Sequence, residues 1–339
     1  MHRCITHIFI FILLTLFVSS CGQQNQNTLV IYSTHGKEML TYFEKAFEAK
    51  YPEVNAVWLD MGSQNVLDRV RTETENPQAD VWWGGPKELF EQAESQELLD
   101  AYKPSWAAEV EPSFKSPKDF WYASFQTPEI IMYNSALVAE ADAPKEWDDL
   151  LSEKWRQKIV IRDPVQSGTM RTIFAALIAR EIKRAGSVDS GYAWLERLHR
   201  NTKSYAADPT QMYIKLQRGE ELITLWNLTD AVLQARINKM PFGVVIPASG
   251  TVAAIEGIAI VKGAPHLDAA KKFYEFVTSA ENLKVQAEKF YRLPSRKDVS
   301  LSLDWVKPGD LKRLDMNDSL AASQQQIWMT HWQTNIKSK

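Results

Sequence analysis

The sequence predicts an α/β protein that contains two doubly wound units. Short, uninterrupted apolar runs alternate with amphipathic stretches of helical period, as expected for parallel strands covered by helices on both faces. The alternation occurs twice, on either side of an irregular stretch at residues 100–120. The length of 339 residues also exceeds the size at which one hydrophobic core usually stops growing. About two domains are therefore expected.

The first unit opens with three strand–helix pairs. Apolar runs predict strands at residues 29–32, 54–59 and 79–83, and amphipathic stretches predict helices at residues 37–50, 65–75 and 86–95. In the first helix, Met39, Leu40, Phe43 and Phe47 recur at a spacing that places them on one face. Pro86 stands in the first turn of the third helix, where its missing N–H is not needed.

The second unit follows an extended stretch at residues 121–134. Strands are predicted at residues 158–161, 204–205 and 222–226, and helices at residues 169–185, 187–200, 209–218 and 230–239. Extended segments at residues 242–246 and 253–261 lead to helices at residues 266–278 and 281–290 and to a helical tail at residues 318–336. Because no low-complexity linker separates the units, we expect the chain to pass between them more than once.

The composition excludes several classes of protein. With 45% hydrophobic and 24% charged residues, the chain is globular and not intrinsically disordered. A formal charge of −3 gives no support for nucleic acid as a partner. Two cysteines are too few for a disulfide-rich scaffold or a four-cysteine zinc site. The chain has no GxSxG, P-loop, HExxH or EF-hand motif, so we expect neither an enzyme nor a resident cofactor or metal.

The N-terminal segment predicts export and lipid anchoring. A short, weakly basic start precedes the apolar run at residues 5–18, which is typical of a signal peptide covering residues 1–20. The run ends in Ser19-Ser20-Cys21, which resembles the lipobox of bacterial lipoproteins, and residues 21–27 form a predicted lipidated tether. An ordinary signal peptide with a chance cysteine is the alternative. Cleavage before Cys21 would leave a folded body without any cysteine.

Four segments resemble the solute-binding proteins of ABC importers. Residues 30–38 (VIYSTHGKE) resemble the first strand and loop of that family, and residues 79–85 (ADVWWGG) resemble its third strand and ligand loop. Residues 161–169 (IRDPVQSGT) are similar to the anion loop of its second lobe, and residues 257–265 (GIAIVKGAP) to its returning strand. The resemblance covers roughly residues 28 to 300, and it is the order of the segments together with the lipobox that makes it specific.

The resemblance implies a periplasmic binding protein of type II, with two doubly wound lobes joined by hinge strands. The lobes would close around a ligand, and the closed form would deliver it to an ABC permease. We expect residues 28–125 and 248–300 to form the first lobe and residues 126–247 the second. A helical segment at residues 301–339 is expected to pack on the second lobe. The protein is expected to be a monomer outside the cytoplasm, anchored by lipid to a bacterial membrane.

The candidate ligand-binding residues follow predicted strands, because the crevice of an open α/β sheet lies at the carboxyl ends of its strands. The candidates are Ser33, Thr34, His35, Gly62, Ser63, Gly84, Gly85, Ser167, Gly168, Thr169, Trp226, Asn227 and Asp230. Ser167-Gly168-Thr169 is the strongest group, because free N–H groups at the start of a long helix attract anions. Arg162 and Arg171 lie close to it in sequence.

Structural alternatives accompany these candidates. Ser167 or Thr169 is also suited to cap the helix, and the glycine pairs also suit turns. Trp82 and Trp83 end a predicted strand. Because neighbouring residues of a strand point to opposite faces, we do not expect the two side chains to line the same pocket together. The acidic pairs Asp148-Asp149 and Glu220-Glu221 are interpreted as solvated surface.

The ligand predicted from these residues is a small anionic or phosphorylated organic solute. Ferric iron is the alternative, since ferric-binding relatives place a histidine near the position of His35. Those relatives also use two adjacent tyrosines where this chain has Trp226-Asn227-Leu228-Thr229-Asp230, which puts an iron site in doubt. A sensory protein that signals to a two-component system would use the same fold and is the other alternative.

Overall fold

The computed structural model describes residues 28–306 and 311–338. The predicted signal peptide, Cys21 and the tether lie outside the described residues. Among the residues that are described, no helix is both long and apolar enough to cross a membrane.

The described residues form strands and helices close to the predicted bounds. The strands are β1 (Thr28–Ser33), β2 (Asn55–Asp60), β3 (Val81–Pro86), β4 (Leu99–Asp100), β5 (Tyr122–Asn134), β6 (Ile159–Arg162), β7 (Thr202–Ala206), β8 (Ile223–Asn227), β9 (Phe242–Val245), β10 (Ala253–Val261) and β11 (Leu293–Pro294). The helices are α1 (Lys37–Lys50), α2 (Ser63–Thr72), α3 (Lys87–Ser95), α4 (Gly168–Ala185), α5 (Val188–Asn201), α6 (Pro209–Gln217), α7 (Leu228–Arg236), α8 (Leu267–Val277), α9 (Ala280–Phe290) and α10 (Asp318–His331).

The main sheet path runs in the order β2-β1-β3-β10-β5-β8-β6-β7. At one end β1 pairs in parallel with β2 and β3, and at the other β6 pairs in parallel with β7 and β8. We call the part built around β1, β2 and β3 the first lobe and the part around β6, β7 and β8 the second lobe. The antiparallel strands β10 and β5 connect the two. This arrangement confirms the predicted α/β class with two doubly wound lobes joined by hinge strands.

Strand β5 belongs to both sides of the connection. Its first half pairs with β10, in a register that places Pro128 opposite Ala253. Its second half pairs with β8, where Glu129 lies opposite Asn227, and also with β9. The hinge therefore contains a long, buried strand whose hydrogen-bond partners change between residues 128 and 129.

One sequence interpretation agrees with the structure and another needs correction. Trp82 and Trp83 both lie in the core of the first lobe, where Trp82 stacks on Phe90 with ring centroids 4.2 Å apart. Neither faces the crevice, since β3 is buried on both of its faces. The interpretation of Glu221 as solvated was wrong, because it is 1% exposed and accepts a hydrogen bond from Ser204 Oγ at 2.7 Å. Lys215 Nζ lies 3.6 Å from its carboxylate.

The last described helix packs on the second lobe. A π-helical segment, Trp332–Lys337, continues α10. The Trp332 ring makes edge contacts with Phe174 of α4 and with Tyr205 of β7, at centroid distances of 5.6 Å and 5.3 Å. The boundaries at residues 125, 247 and 300 stay predictions.

Candidate functional site

A cavity of about 900 Å³ lies between the lobes, at the carboxyl ends of the parallel strands. Most of the candidate residues line it: Thr34, His35, Gly62, Ser63, Gly85, Ser167, Gly168, Thr169, Trp226, Asn227 and Asp230. Ser33 and Gly84 lie in the layer beneath the wall. Ser33 Oγ donates to the Trp83 carbonyl at 2.7 Å, and the Gly84 carbonyl accepts from Trp82 Nε1 at 2.7 Å.

Several helices begin at the cavity. Gly36 precedes α1 and Gly62 precedes α2, and neither helix has a side-chain cap. Asp208 caps α6 and Asn227 caps α7, each through a side-chain oxygen. The first-turn N–H groups of a helix have no acceptor within it, so these termini supply hydrogen-bond donors and positive partial charge to the cavity.

At the start of α4, the helix-cap role of Ser167 is compatible with an anion site. Its Oγ accepts a hydrogen bond from the Met170 N–H at 3.3 Å, so the side chain caps the helix. The N–H groups of Gly168 and Thr169 precede Met170 in the same first turn, where no intrahelical acceptor exists. The cap therefore still leaves donors for an anion.

The two lobes approach closely around these donors. A β-carbon added to Gly62 would lie 3.0 Å from the Gln166 carbonyl oxygen and 3.6 Å from Arg162 Nη2. A β-carbon added to Gly168 would lie 2.7 Å from both Ser63 Oγ and Pro86 Cδ. The N-termini of α2 and α4 thus meet across the cleft, and glycine permits the contact on both sides.

Arg162 supplies a positive charge at the same place. It lines the cavity but is only 5% exposed. Among the described residues it forms no ion pair within 4.0 Å, and its one protein hydrogen bond is a long one, 3.5 Å from Nη1 to the Ala206 carbonyl. The charges of Asp163 and Asp208 act on it from a greater distance and favour its charged form. Burial lowers the pKa of Arg162, although an arginine keeps its charge at neutral pH. Arg171 instead braces the loop, because its Nη2 donates to the Val165 carbonyl at 2.7 Å.

The opposite wall holds an ion pair that sequence reasoning missed. Arg292 Nη2 donates to Asp230 Oδ1 at 2.9 Å, and Arg292 Nη1 donates to Thr229 Oγ1 at 2.5 Å. Its guanidinium also lies 5.3 Å from the centroid of the Phe125 ring. Arg292 and Asp230 are 62 residues apart, so no local pattern signals the pair.

Several carboxylates lie on the same wall of the cavity as the Arg292–Asp230 pair. Loss of hydration at the cavity raises the pKa of Asp60 to about 6, and the charges of Asp230 and Glu38 act in the same direction. Glu256 Oε2 accepts a hydrogen bond from the Gly85 N–H at 2.5 Å, and burial raises the pKa of Glu256. The cavity therefore has a cationic end at Arg162 and an acidic end at Asp60, Asp230 and Glu256.

His35 lies between the wall and the core in a neutral form. Burial, followed by the charge of Arg292, lowers the pKa of His35 well below its ordinary value. Its Nδ1 lies 3.0 Å from Ser33 Oγ. Because the single Ser33 proton goes to the Trp83 carbonyl, we infer that Nδ1 carries the imidazole proton.

Tyr213 also lines the cavity, but its hydroxyl is already engaged. Trp226 Nε1 donates to the Tyr213 hydroxyl at 2.8 Å. Burial raises the pKa of Tyr213 well above 10, so the phenolate form is disfavoured. Among the described residues, no three His, Cys, Asp or Glu side chains are grouped so that they could hold a metal ion.

Comparison with known proteins agrees with this architecture. The family of bacterial extracellular solute-binding proteins matches residues 43–313. The chain belongs to this family. A Sinorhizobium fredii relative named as an ABC transporter periplasmic-binding protein is 29% identical over 287 residues, covering 84% of this chain and 79% of the relative. A Salmonella typhimurium relative named for 2-aminoethylphosphonate binding is 25% identical over 334 residues, covering 94% of this chain and 92% of the relative.

Solved structures show the same fold. The periplasmic binding protein AfuA of Actinobacillus pleuropneumoniae, determined with fructose-6-phosphate bound, superposes with a TM-score of 0.81 and 27% identity. The match covers 92% of this solute-binding protein and 99% of AfuA. A ferric binding protein of Campylobacter jejuni shares the fold, with a TM-score of 0.74 and 23% identity. The predicted role is thereby confirmed: this is an extracytoplasmic protein that binds a small solute and delivers it to an ABC permease.

Proposed function

We propose that the solute is a small organic phosphate or phosphonate, held by its anionic group between the N-termini of α2 and α4 beside Arg162. Arg162 carries this proposal. Among the described residues this buried guanidinium has no ion-pair partner within 4.0 Å, although the charges of Asp163 and Asp208 favour its charged form. An anionic ligand would supply a direct charge partner and further hydrogen bonds. The uncapped α2 terminus and the Gly168 and Thr169 N–H groups would complete the site.

The acidic end would receive the rest of the solute. Hydroxyl or ammonium groups suit the carboxylates of Asp60, Asp230 and Glu256, which accept hydrogen bonds. The names of two relatives, one for 2-aminoethylphosphonate and one structure with fructose-6-phosphate, describe solutes with this distribution of groups. Because both lobes contribute to the cavity, we infer that the lobes close over the solute by hinge motion at β5 and β10.

The cavity chemistry supports an organic anion over ferric iron. A ferric site needs hard anionic ligands such as phenolates, whereas Tyr213 is held neutral and accepts a hydrogen bond from Trp226. The stretch at residues 226–230, which resembles the one where iron-binding relatives place two adjacent tyrosines, contains no tyrosine. We further propose that the protein works as a binding protein without catalysis, as a monomer, and that lipid on Cys21 holds it at the membrane. A sensory role stays an alternative that the genes next to its own would test.

Isothermal titration of the purified protein would test the ligand class. The panel would contain phosphate monoesters, alkylphosphonates, the matching unphosphorylated sugars and alcohols, and Fe(III) citrate. We expect saturable binding of a phosphate or phosphonate, weakened at least about thirtyfold in Arg162→Met because a buried charged contact is lost. Arg218→Met, at an arginine whose side chain is 70% exposed, is the matched control and should bind normally. Binding of Fe(III) alone, or equal binding of the unphosphorylated compounds, would refute the proposal.

A further inference from the structure

A lysine outside the cavity makes direct contact with the back of the anion loop. Lys337 Nζ donates to Asp163 Oδ2 at 2.6 Å, although the residues are 174 positions apart. The two side chains are 31% and 22% exposed. Lys337 Nζ also lies 5.3 Å from the centroid of the Tyr205 ring and 5.5 Å from that of the Trp332 ring. The carboxylate and the two rings together hold the ammonium group in one place.

Asp163 shapes the turn that leads to α4. Its carbonyl oxygen accepts hydrogen bonds from the N–H groups of Gln166, at 3.2 Å, and Ser167, at 3.0 Å. Its side-chain Oδ1 accepts from the Val165 N–H at 2.9 Å. The residue is therefore well suited to fold the loop, but its negative charge acts on the neighbouring Arg162, which lines the end of the cavity where an anion is proposed to bind.

We propose that Lys337 is a positioning residue for solute binding, which neutralises Asp163 and so preserves the affinity of the anion loop for a phosphate or phosphonate. This inference rests on the proposed function. The anion loop would then depend on two distant parts of the chain, with Arg162 facing the solute and Lys337 cancelling the opposing charge behind it. Without Lys337, the Asp163 carboxylate would repel the solute and compete for the Arg162 charge.

Titration of four variants with the phosphate or phosphonate that the unmodified protein binds would test the role of charge. Lys337→Met is expected to weaken binding about two- to tenfold, as for the loss of one partly screened charge. Lys337→Arg keeps the positive charge and should bind the solute with near wild-type affinity. Asp163→Asn keeps the side-chain oxygen that accepts from Val165 but removes the charge, so Lys337→Met should have little effect in the Asp163→Asn background.

The control is Lys183→Met, which breaks a more exposed ion pair with Asp315 and should bind normally. The double-mutant cycle of Lys337→Met and Asp163→Asn also distinguishes a merely structural role. If Lys337 only held the fold in place, Lys337→Met would lose the same affinity with Asp163 or Asn at position 163, and that result would overturn the inference. Wild-type affinity in Lys337→Met would overturn it too, while leaving the proposed function intact. If the unmodified protein binds no phosphate or phosphonate, the proposed function is wrong and the inference falls with it.

Discussion

Replacing Gly168 by alanine should separate the stability of the protein from its ability to close. Gly168 is the first residue of α4 in the second lobe, whereas its contacts Ser63 and Pro86 belong to the first lobe. An alanine β-carbon would stand 2.7 Å from Pro86 Cδ, 2.9 Å from Pro86 Cγ and 2.7 Å from Ser63 Oγ. Carbon atoms pack best at about 3.5–4.0 Å, and the proline ring cannot rotate away. The lobes must therefore stay apart at this point.

The size of the effect follows from where the clash occurs. Overpacking of this kind costs about 1–3 kcal/mol, and it arises only when the lobes approach each other as closely as they do in this structure. The dissociation constant of the solute should therefore increase about fivefold to 150-fold. When the lobes are further apart the clash is absent, and alanine favours the helix over glycine by up to about 1 kcal/mol. The melting temperature of the ligand-free protein should be unchanged or higher.

Two measurements are needed, because affinity alone does not report closure. Isothermal titration would give the dissociation constant, and small-angle scattering with and without solute would give the compaction of the protein. Thr172→Ala, one turn further along α4 and only half-buried, is the matched control and should close normally. If Gly168→Ala binds with wild-type affinity and compacts fully, then Gly168 does not contact Ser63 and Pro86 in the bound state, and the reasoning is refuted.

Two further predictions concern regions away from this contact. Glu129 in the hinge is fully buried with both carboxylate oxygens unpartnered, and burial, with Glu256 and Asp230, raises its pKa well above 4.5. The stability that Glu129 contributes in its protonated form is fully present below about pH 4.3, the pKa of a glutamate in the unfolded chain. It is lost as pH rises toward the higher pKa of Glu129 in the folded protein. The free energy of unfolding of Glu129→Gln, measured in urea, should therefore rise relative to that of the unmodified protein between pH 5 and pH 8. A difference that stays constant over this range would contradict the prediction. Cys21→Ser should abolish incorporation of labelled palmitate and release the protein from membranes; retention at the membrane would count against the proposed anchor.

Local sequence patterns were sufficient to predict most elements and the position of the cleft. Helix α1 has the predicted bounds because its apolar residues and the preceding glycine are local signals. Helix α2 starts two residues earlier than predicted, since Gly62 is extended and Ser63 is already helical. The candidate loops meet because strand ends in a parallel sheet share one edge, a rule that needs no knowledge of side-chain contacts.

Side-chain orientation required the register of the sheet. Trp82, Trp83 and Trp226 all lie in strands whose carboxyl ends reach the cavity, yet of the three only Trp226 lines it. Strand β3 lies within the sheet, between β1 and β10, and is covered on both faces, whereas β8 ends beside the hinge, where β5 lies against it. No residue next to these tryptophans in sequence encodes that difference, so they could not be distinguished before the strand order was known.

The polarity of the cavity depends on contacts that are even more distant in sequence. Its acidic end is held by Arg292 on Asp230 and by Glu256 on the Gly85 N–H, pairs separated by 62 and 171 residues. Most of its cationic end is local, since Arg162, the Ser167 cap and the α4 terminus lie within residues 162–169, and only the α2 terminus comes from the other lobe. This explains why the anion loop was recognisable from a nine-residue motif, while the acidic wall was represented only by Asp230. A phosphate group can be held by one loop and the helix termini around it, but selectivity for the remainder of the solute requires that distant segments fold against each other.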